Sequence, residues 1–278
     1  MSLINAAKYS VLLSVYEKEK PQNLYDSVQS MLNQTVPPDE IVLVKDGPLT
    51  EPLEKVIIEL ASGQVIKTIS LPENMGLGRA LRIGVLSCKN DIVARMDTDD
   101  IALPSRCEKQ LEVFARKPGV SVVGTAVAEF DGITRETVCY KGAPSGNAGI
   151  RRIMKYRNPM NHPTVMFKKA DVLAAGNYDE FDLNEDYYLW VRMMQKGFEF
   201  ENLDEPLVKM RTTNDTYSRR GGLGYFLIQK RLFDYMLETG FINIFEHLFN
   251  NAIRFFSRIL TTNRMRRYLY IRLLRRKA

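Results

Sequence analysis

Asp91-Ile92-Val93-Ala94-Arg95-Met96-Asp97-Thr98-Asp99-Asp100 is a short apolar run that ends in three carboxylates within four positions. The apolar part reads as a strand buried on both faces. Carboxylates packed this densely repel one another unless something positive sits among them. A hard divalent cation that carries a diphosphate fits, because Mg²⁺ and Mn²⁺ take oxygen ligands and leave positions open for phosphate oxygens. If the strand stays extended, Asp97 and Asp99 share a side and Thr98 points the other way. The same residues also fit an acidic turn or a helix cap. The surrounding sequence weighs between these readings.

Upstream, the chain alternates two kinds of segment. Val11 to Val15 is a short apolar strand. Leu24, Val28, Met31 and Leu32 then recur at helical spacing until Pro37 and Pro38 stop them. Ile41 to Val44 is a second strand ending at Asp46-Gly47, and Leu53, Val56, Ile57 and Leu60 form a second helical stripe. Val65 to Ile69 is a third strand, Leu77 to Leu86 a helix, and Asp91 to Met96 the fourth strand. The order βαβαβαβ with continuously apolar strands predicts an α/β fold built on a parallel sheet covered on both faces, with right-handed crossovers. In such sheets ligands bind beyond the carboxyl ends of the strands. Glu17, Asp46, Asn74 and the Asp97 cluster each follow one strand, which favours a site over a decorative acidic turn.

Downstream, Val120 to Gly124 reads as a strand. Ala126 to Phe130 and Thr134 to Tyr140 read as a hairpin joined across Asp131-Gly132. Gly142 to Gly149 is loop-like and lid-like in composition. Val165 to Phe167 is another strand. Asn184-Glu185-Asp186 opens a helix whose apolar side is Leu189, Trp190, Met193 and Met194. Leu223, Phe226, Leu227, Phe233, Met236 and Leu237 give a helix with a broad apolar face that ends at Gly240. The expected division is a catalytic unit over residues 1–222 and a helical, basic, amphipathic extension over 223–278.

Composition bounds the function. Of 278 residues 45% are hydrophobic and 26% charged, which suits a globular chain with a sizeable core. Cys88, Cys107 and Cys139 form no disulfide framework and no CxxC pair, which fits a reducing compartment. His162 and His247 make no zinc site between them. No signal peptide and no bilayer-length apolar run are expected from the sequence. There is no GxGxxG at the first strand–helix junction and no GxxxxGK[ST], which argues against a nicotinamide cofactor and a nucleoside triphosphatase. Net charge is +6, yet nine basic residues and no acidic one lie from Arg254 onward, so the rest of the chain is slightly acidic. Such a tail suits an anionic surface, lipid or nucleic acid.

Taken in order, Ser14-Val15-Tyr16 with Glu17, Val44-Lys45-Asp46-Gly47, Glu73-Asn74-Met75-Gly76-Leu77, Asp97-Thr98-Asp99, Asn161-His162-Pro163-Thr164 and Asn184-Glu185-Asp186-Tyr187-Tyr188-Leu189-Trp190 resemble the family 2 glycosyltransferases of GT-A fold. The resemblance spans about residues 8 to 222 and is strongest toward bacterial enzymes of O-antigen, capsule and exopolysaccharide assembly, the amylovoran biosynthesis type among them. It implies a mostly parallel, nucleotide-diphospho-sugar transferase-like sheet flanked by helices. The implied activity is inverting, Mn²⁺- or Mg²⁺-dependent transfer of one sugar from a nucleoside-diphosphate sugar, with a UDP-sugar expected, to a saccharide hydroxyl. The acceptor it implies is a saccharide or an undecaprenyl-diphosphate-linked one.

Carried over residue by residue, the resemblance makes Asp99, with Asp97, the metal ligands and Asp186 the base that deprotonates the acceptor. It places Asp46 and Glu17 at the nucleoside, with Asn74 and Gly76 beside the donor. Arg79 is read as reaching the diphosphate or forming a surface ion pair. Glu185 is read as pointing elsewhere around the helix from Asp186 and as binding acceptor or holding loops, and Trp190 as an acceptor floor or a core residue. His162 is read as a packed loop residue that donates to phosphate or to an acidic neighbour. Arg219 and Arg220, within Tyr217-Ser218-Arg219-Arg220-Gly221-Gly222, are read as phosphate-meeting arginines. Lys45 departs from the acidic residue common before this Asp. No QxxRW occurs, which favours single transfer over polymerisation.

The basic tail interleaves arginines with apolar residues, as a helix lying in a membrane interface does. A peripheral place on the cytoplasmic face of the cell membrane follows as an expectation, with packing on the protein as the alternative. Two other function classes compete. A sugar-nucleotide nucleotidyltransferase needs a glycine-rich basic loop near the first strand, and Ser14 to Lys20 contains no glycine. A nucleic-acid-binding module would use the tail, but it lacks a stacking sheet motif or reading helix and leaves the acidic cluster unexplained. No nucleic-acid partner is expected.

Overall fold

The computed structural model describes residues 8–62, 65–181, 183–212, 221–261 and the backbone of 276–277. Arg219, Arg220 and most of the basic tail lie outside the described residues.

The first third folds as its periodicity dictates. Strands β1 (Ser10–Val15), β2 (Glu40–Lys45), β3 (Ile66–Ser70) and β4 (Ile92–Arg95) alternate with helices α1 (Pro21–Leu32), α2 (Glu51–Ala61) and α3 (Leu77–Ser87). The strands pair in parallel in the order β4-β1-β2-β3. Alternate residues of one strand feed opposite faces: Leu12, Val42 and Val93 enter one apolar cluster, while Val11, Ile41 and Ala94 enter the other. β3 departs from the expected double burial. As an edge strand it leaves Lys67, Thr68 and Ser70 exposed.

Beyond β4 the sheet becomes mixed. A two-residue strand, β5 (Ile101–Ala102), precedes α4 (Arg106–Arg116) and β6 (Val120–Asp131). Residues read as two pieces, before and after Gly124–Thr125, form one continuous strand in β6, whose members are buried along almost its whole length. The hairpin forms between β6 and β7 (Thr137–Lys141), but the connection after Asp131 runs to Glu136, so the second strand starts at Thr137 rather than at Thr134. The loop after β7 is anchored rather than lid-like. Asn202 donates to the Pro144 carbonyl and the Glu201 carboxylate accepts from Gly146 N–H before α5 (Asn147–Met154) begins. β8 (Met166–Lys168) runs antiparallel between β4 and β6. α6 (Lys169–Ala174), α7 (Glu185–Gln195) and the long β9 (Glu199–Thr212), which pairs with β6 and β5, follow.

Helices α8 (Gly222–Glu238) and α9 (Ile244–Phe255) complete the described chain, with a π-helical turn at Phe256–Leu260. Leu232, Phe233 and Met236 of α8 share an apolar cluster with Tyr187 and Trp190 of α7, so the extension packs on the sheet unit. Residues 276–277 form β10, antiparallel to β7 at the sheet edge.

Candidate active site

The carboxyl ends of β1, β2 and β4 open on a cleft of about 430 Å³ lined by Tyr16, Glu19, Asp46, Asn74, Asp97 and Asp99, among others. A second cavity of about 430 Å³ shares Gly76 and Leu77 with the first and reaches Arg79, Glu180 and Glu185. The topological rule thus places the cleft where the strand ends predicted it.

The acidic stretch is a turn, since β4 stops at Arg95. Neighbouring elements hold that turn in place. Ser27 of α1 donates to the Asp97 carbonyl at 2.7 Å, the Arg211 N–H donates to Asp100 at 2.7 Å, and the Arg211 guanidinium donates to the Asp99 carbonyl at 2.9 Å. Carboxylate oxygens of Asp97, Asp99 and Asp100 come within 4.8 Å of one another. Burial, with Asp97 and Glu19 nearby, pushes Asp99 up to about 7, and burial with Asp99 and Asp97 nearby pushes Asp100 well above the usual carboxylate range. One Asp100 oxygen is buried without a hydrogen-bond partner among the described residues. Three crowded carboxylates offering hard oxygen donors fit a divalent cation such as Mg²⁺ or Mn²⁺.

Arg95 carried no role in the sequence reading, yet it governs the electrostatics. Its guanidinium is buried, pairs with Asp97, and leaves two donor nitrogens without partners among the described residues. Its charge also draws Asp186 and Glu185 downward and pushes His162 the same way. A basic residue inside an apolar strand just before an acidic cluster was the available signal.

Asp46 is buried, and both its oxygens accept backbone N–H groups, from Met75 at 2.7 Å and Gly76 at 3.1 Å. It therefore shapes the loop that carries Asn74 as well as lining the cleft. Gly47 makes that contact possible. Its φ is +87°, and a Cβ there would meet Asn74 N at 2.6 Å and the Glu73 carbonyl carbon at 2.9 Å. Gly47→Ala is expected to cost about 1–3 kcal/mol of stability, read by denaturant midpoint. An unchanged midpoint would count against this packing account. Lys45, the departure from the usual acidic residue, is paired with Glu54 at 2.8 Å.

Three expectations are corrected. Glu17 is exposed and does not line the cleft, because the chain turns after β1, with Glu19 N–H bonded to the Tyr16 carbonyl. That turn brings Glu19 back to accept from Thr98 at 3.0 Å, so Glu19 takes the place assigned to Glu17. Trp190 is 0% exposed and cannot floor a sugar. It packs edge-on against His162, Tyr178 and Phe200 on the inner face of α7. Glu185 does not point away from Asp186, since both carboxylates and a His162 ring nitrogen come within 4.8 Å of one another. Arg79 forms an ion pair with Glu180 at 2.5 Å beside the second cavity.

Asp186 opens α7, where the Tyr187 N–H donates to one oxygen at 2.7 Å and the Asn158 amide to the other at 2.6 Å. The free N–H groups of a helix start lower a carboxylate's basicity. Burial outweighs them here and raises Asp186 above the usual range. Glu185 is pushed up to about 7 by burial and by Asp186. His162 is pushed well below its ordinary value by burial and then by Arg95. It is therefore a neutral ring, bonded to the Tyr178 hydroxyl at 3.0 Å and 4.0 Å from Asp186, and not a cationic phosphate donor. Asn158, like Glu19 and Arg211, was not singled out from the sequence.

Comparison with known proteins agrees with this geometry. Residues 10–176 match Glycosyl transferase family 2. The chain is 41% identical to the amylovoran biosynthesis glycosyltransferase AmsE of Erwinia amylovora over 84% of this chain and 88% of that one. It is 35% identical to the UDP-Gal:alpha-D-GlcNAc-diphosphoundecaprenol beta-1,3-galactosyltransferase of Escherichia coli over 97% of both chains. The fold is shared with S. aureus TarS in complex with UDP-GlcNAc, at a TM-score of 0.67 and 16% identity over 90% of this chain and 73% of the other. The strand order, the acidic turn at the sheet's carboxyl edge and the extent of these matches together make this chain a member of glycosyltransferase family 2, built on the GT-A fold.

Proposed function

We propose that this protein is a metal-dependent, inverting glycosyltransferase. It moves one sugar from a nucleoside-diphosphate sugar, with UDP as the carrier, to a hydroxyl of a lipid-diphosphate-linked saccharide in the assembly of a cell-surface polysaccharide. The observation that carries the reading is the pairing of a crowded aspartate turn with a half-buried, raised carboxylate, Asp186, whose neighbour Glu185 borders the adjoining cavity. The names of the two relatives support the polysaccharide setting, and the galactosyltransferase supports the lipid-diphosphate acceptor.

Asp97, Asp99 and Asp100 would hold Mg²⁺ or Mn²⁺, which supplies counter-charge for the departing nucleoside diphosphate. Asp46, Asn74 and Gly76 line the donor cleft, with Glu19 beside Thr98. Asp186 takes the proton of the acceptor hydroxyl as that oxygen attacks the anomeric carbon from the face opposite the leaving group, which inverts the configuration. Asn158 orients the carboxylate. Neutral His162 presses against it without neutralising it, and its burial against Trp190 fixes the ring. Residues 1–222 form the catalytic unit and 223–278 the extension. Among the described residues no helix is long and apolar enough to cross a membrane, and a peripheral seat on the inner face of the cell membrane suits a lipid-linked acceptor.

The direct test is a screen of nucleotide sugars with purified protein and Mn²⁺ or Mg²⁺, read as acceptor-dependent release of nucleoside diphosphate. Release that ignores the sugar acceptor, or exchange of diphosphate with a nucleoside triphosphate, would overturn the reading.

The same chemistry sets a pH dependence. A base must be ionised in the free enzyme, and the Glu185–Asp186 pair is raised, with Glu185 at about 7. The pair titrates as a unit, so kcat/KM is expected to fall as pH drops through about 7. A profile flat to about pH 5 would contradict it. Stability responds with the opposite sign. A raised carboxyl favours the folded state in acid, and that contribution is lost as pH rises from the ordinary 4.5 of Glu185 through about 7.

A further inference from the structure

Helix α9 and the π-turn after it are amphipathic the wrong way round for a helix packed on a protein. Their inward positions are polar. Asn250, Arg254 and Arg258 are buried, and His247 bonds to Asp234 at 2.8 Å. Asn250 donates to the Lys155 carbonyl at 2.9 Å, Arg254 to the Tyr156 carbonyl, and Arg258 to Gln229 at 3.2 Å. The outward positions are apolar: Phe245, Leu248, Phe249, Ala252, Ile253 and Phe256 are all exposed, Phe245 by 79% and Phe256 by 60%. No charged residue interrupts that face from Phe245 to Phe256 apart from Glu246, which is tied to Lys155 at 2.8 Å and to the helix cap. The patch continues onto Tyr156, which forms a groove of about 610 Å³ with Phe245 and Phe249. It also continues toward α8, where Phe226 meets Phe255 edge-on. Arg254 and Arg258 lie under this helix, over the rings of Phe233 and Tyr225.

We propose that this face is the surface by which the protein seats in the headgroup and upper acyl region of an anionic bilayer, with α9 lying in the membrane plane. A contiguous exposed apolar face marks an interaction site. Three observations favour lipid over a protein partner. The border is basic: Arg152 and Arg157, before and after Tyr156 in the chain, are both exposed. An apolar centre with a cationic border matches an interfacial helix. The face is also aromatic-rich, and its one carboxylate, Glu246, is already paired with Lys155 rather than offered outward. Finally, the patch lies close to the chemistry. Tyr156 is two residues from Asn158, the ligand of Asp186, and two residues of chain span at most about 7 Å. A diphosphate-linked sugar standing at the headgroup level would reach the base without leaving the membrane. This inference rests on the lipid-linked acceptor reading.

The test is vesicle flotation of the full chain, with phosphatidylcholine alone and with equal parts phosphatidylcholine and phosphatidylglycerol. Phe245→Ser is not the best probe, so the variant carries Phe245→Gln, Leu248→Gln and Ile253→Gln together, all at exposed positions that leave the core intact. The parent is expected to float with the anionic mixture and much less with phosphatidylcholine alone. The triple variant is expected to lose flotation by about ten-fold or more while keeping its turnover on a water-soluble acceptor. A triple variant that floats like its parent, or a parent dimer that the same substitutions dissolve, overturns the proposal. The two readings fail separately. A parent that floats yet releases no nucleoside diphosphate from any nucleotide sugar keeps the surface and removes the transferase reading. A parent that transfers to soluble acceptor but stays at the bottom of the gradient does the reverse.

Discussion

Asp186→Asn is expected to lower sugar transfer by about 10²–10⁴-fold while donor binding stays within a few-fold. The substitution keeps volume and one of the two accepted hydrogen bonds, from the Tyr187 N–H or the Asn158 amide, but removes the proton acceptor. Asp186 is held by Asn158 and Tyr187 and is not among the residues that line the cleft at Asp97 and Asp99, so the donor cleft keeps its lining. Its raised pKa is a product of burial, and a neutral amide is no harder to bury than the carboxylate it replaces. Folding should therefore be kept or slightly improved at neutral pH. Calorimetric titration of the donor nucleotide beside steady-state turnover separates the outcomes. Equal loss of both would move the base elsewhere, with Glu185 the first candidate because its carboxylate shares the same cluster.

Asp99→Asn is expected to behave in the opposite way, losing donor binding and turnover together, turnover by about 10³-fold. Asp99 is held at about 7 by burial against Asp97 and Glu19, so without a cation the folded protein carries repulsion there. Removing one charge relieves it. The apo variant should melt no lower than the parent above pH 7, while the rise in melting temperature that Mn²⁺ with nucleoside diphosphate gives the parent should vanish. Chelation of the parent should reproduce the same loss, reversibly. A variant that kept a metal-dependent shift and full turnover would remove the aspartate turn from the donor site.

The parallel half of the sheet was legible because its strands are short, apolar and separated by helices of clear 3.6 periodicity. The strand ends then followed by geometry, and with them Asp46, Asn74 and the Asp97 turn. What stayed hidden depends on contacts between distant segments. β9 mixes charged and apolar residues because one side of it runs along solvent, so no alternation announces it. Arg211 reaches the acidic turn across more than a hundred residues of sequence. Glu19 replaces Glu17 through a single reverse turn, which residue order cannot distinguish from an extended exit. Trp190 and Asp186 share a helix four positions apart, and the sequence could not say that one is wholly buried and the other partly exposed. The paired raising of Glu185 and Asp186 required their burial, which is a property of the folded chain.

The short stretch from Met154 to Asn158 is gripped from two directions. The Tyr187 hydroxyl binds the Met154 carbonyl, Asn250 and Arg254 bind the carbonyls of Lys155 and Tyr156, and Asn158 ends on Asp186. It works as a splint whose far end is fastened by the C-terminal helices. A chain shortened within α9 would lose more than an appendage, because the amide that steadies the proton acceptor would lose its brace. Truncation there should slow the chemical step even on acceptors that never meet a bilayer, whereas substitutions on the outer face of the same helix should not.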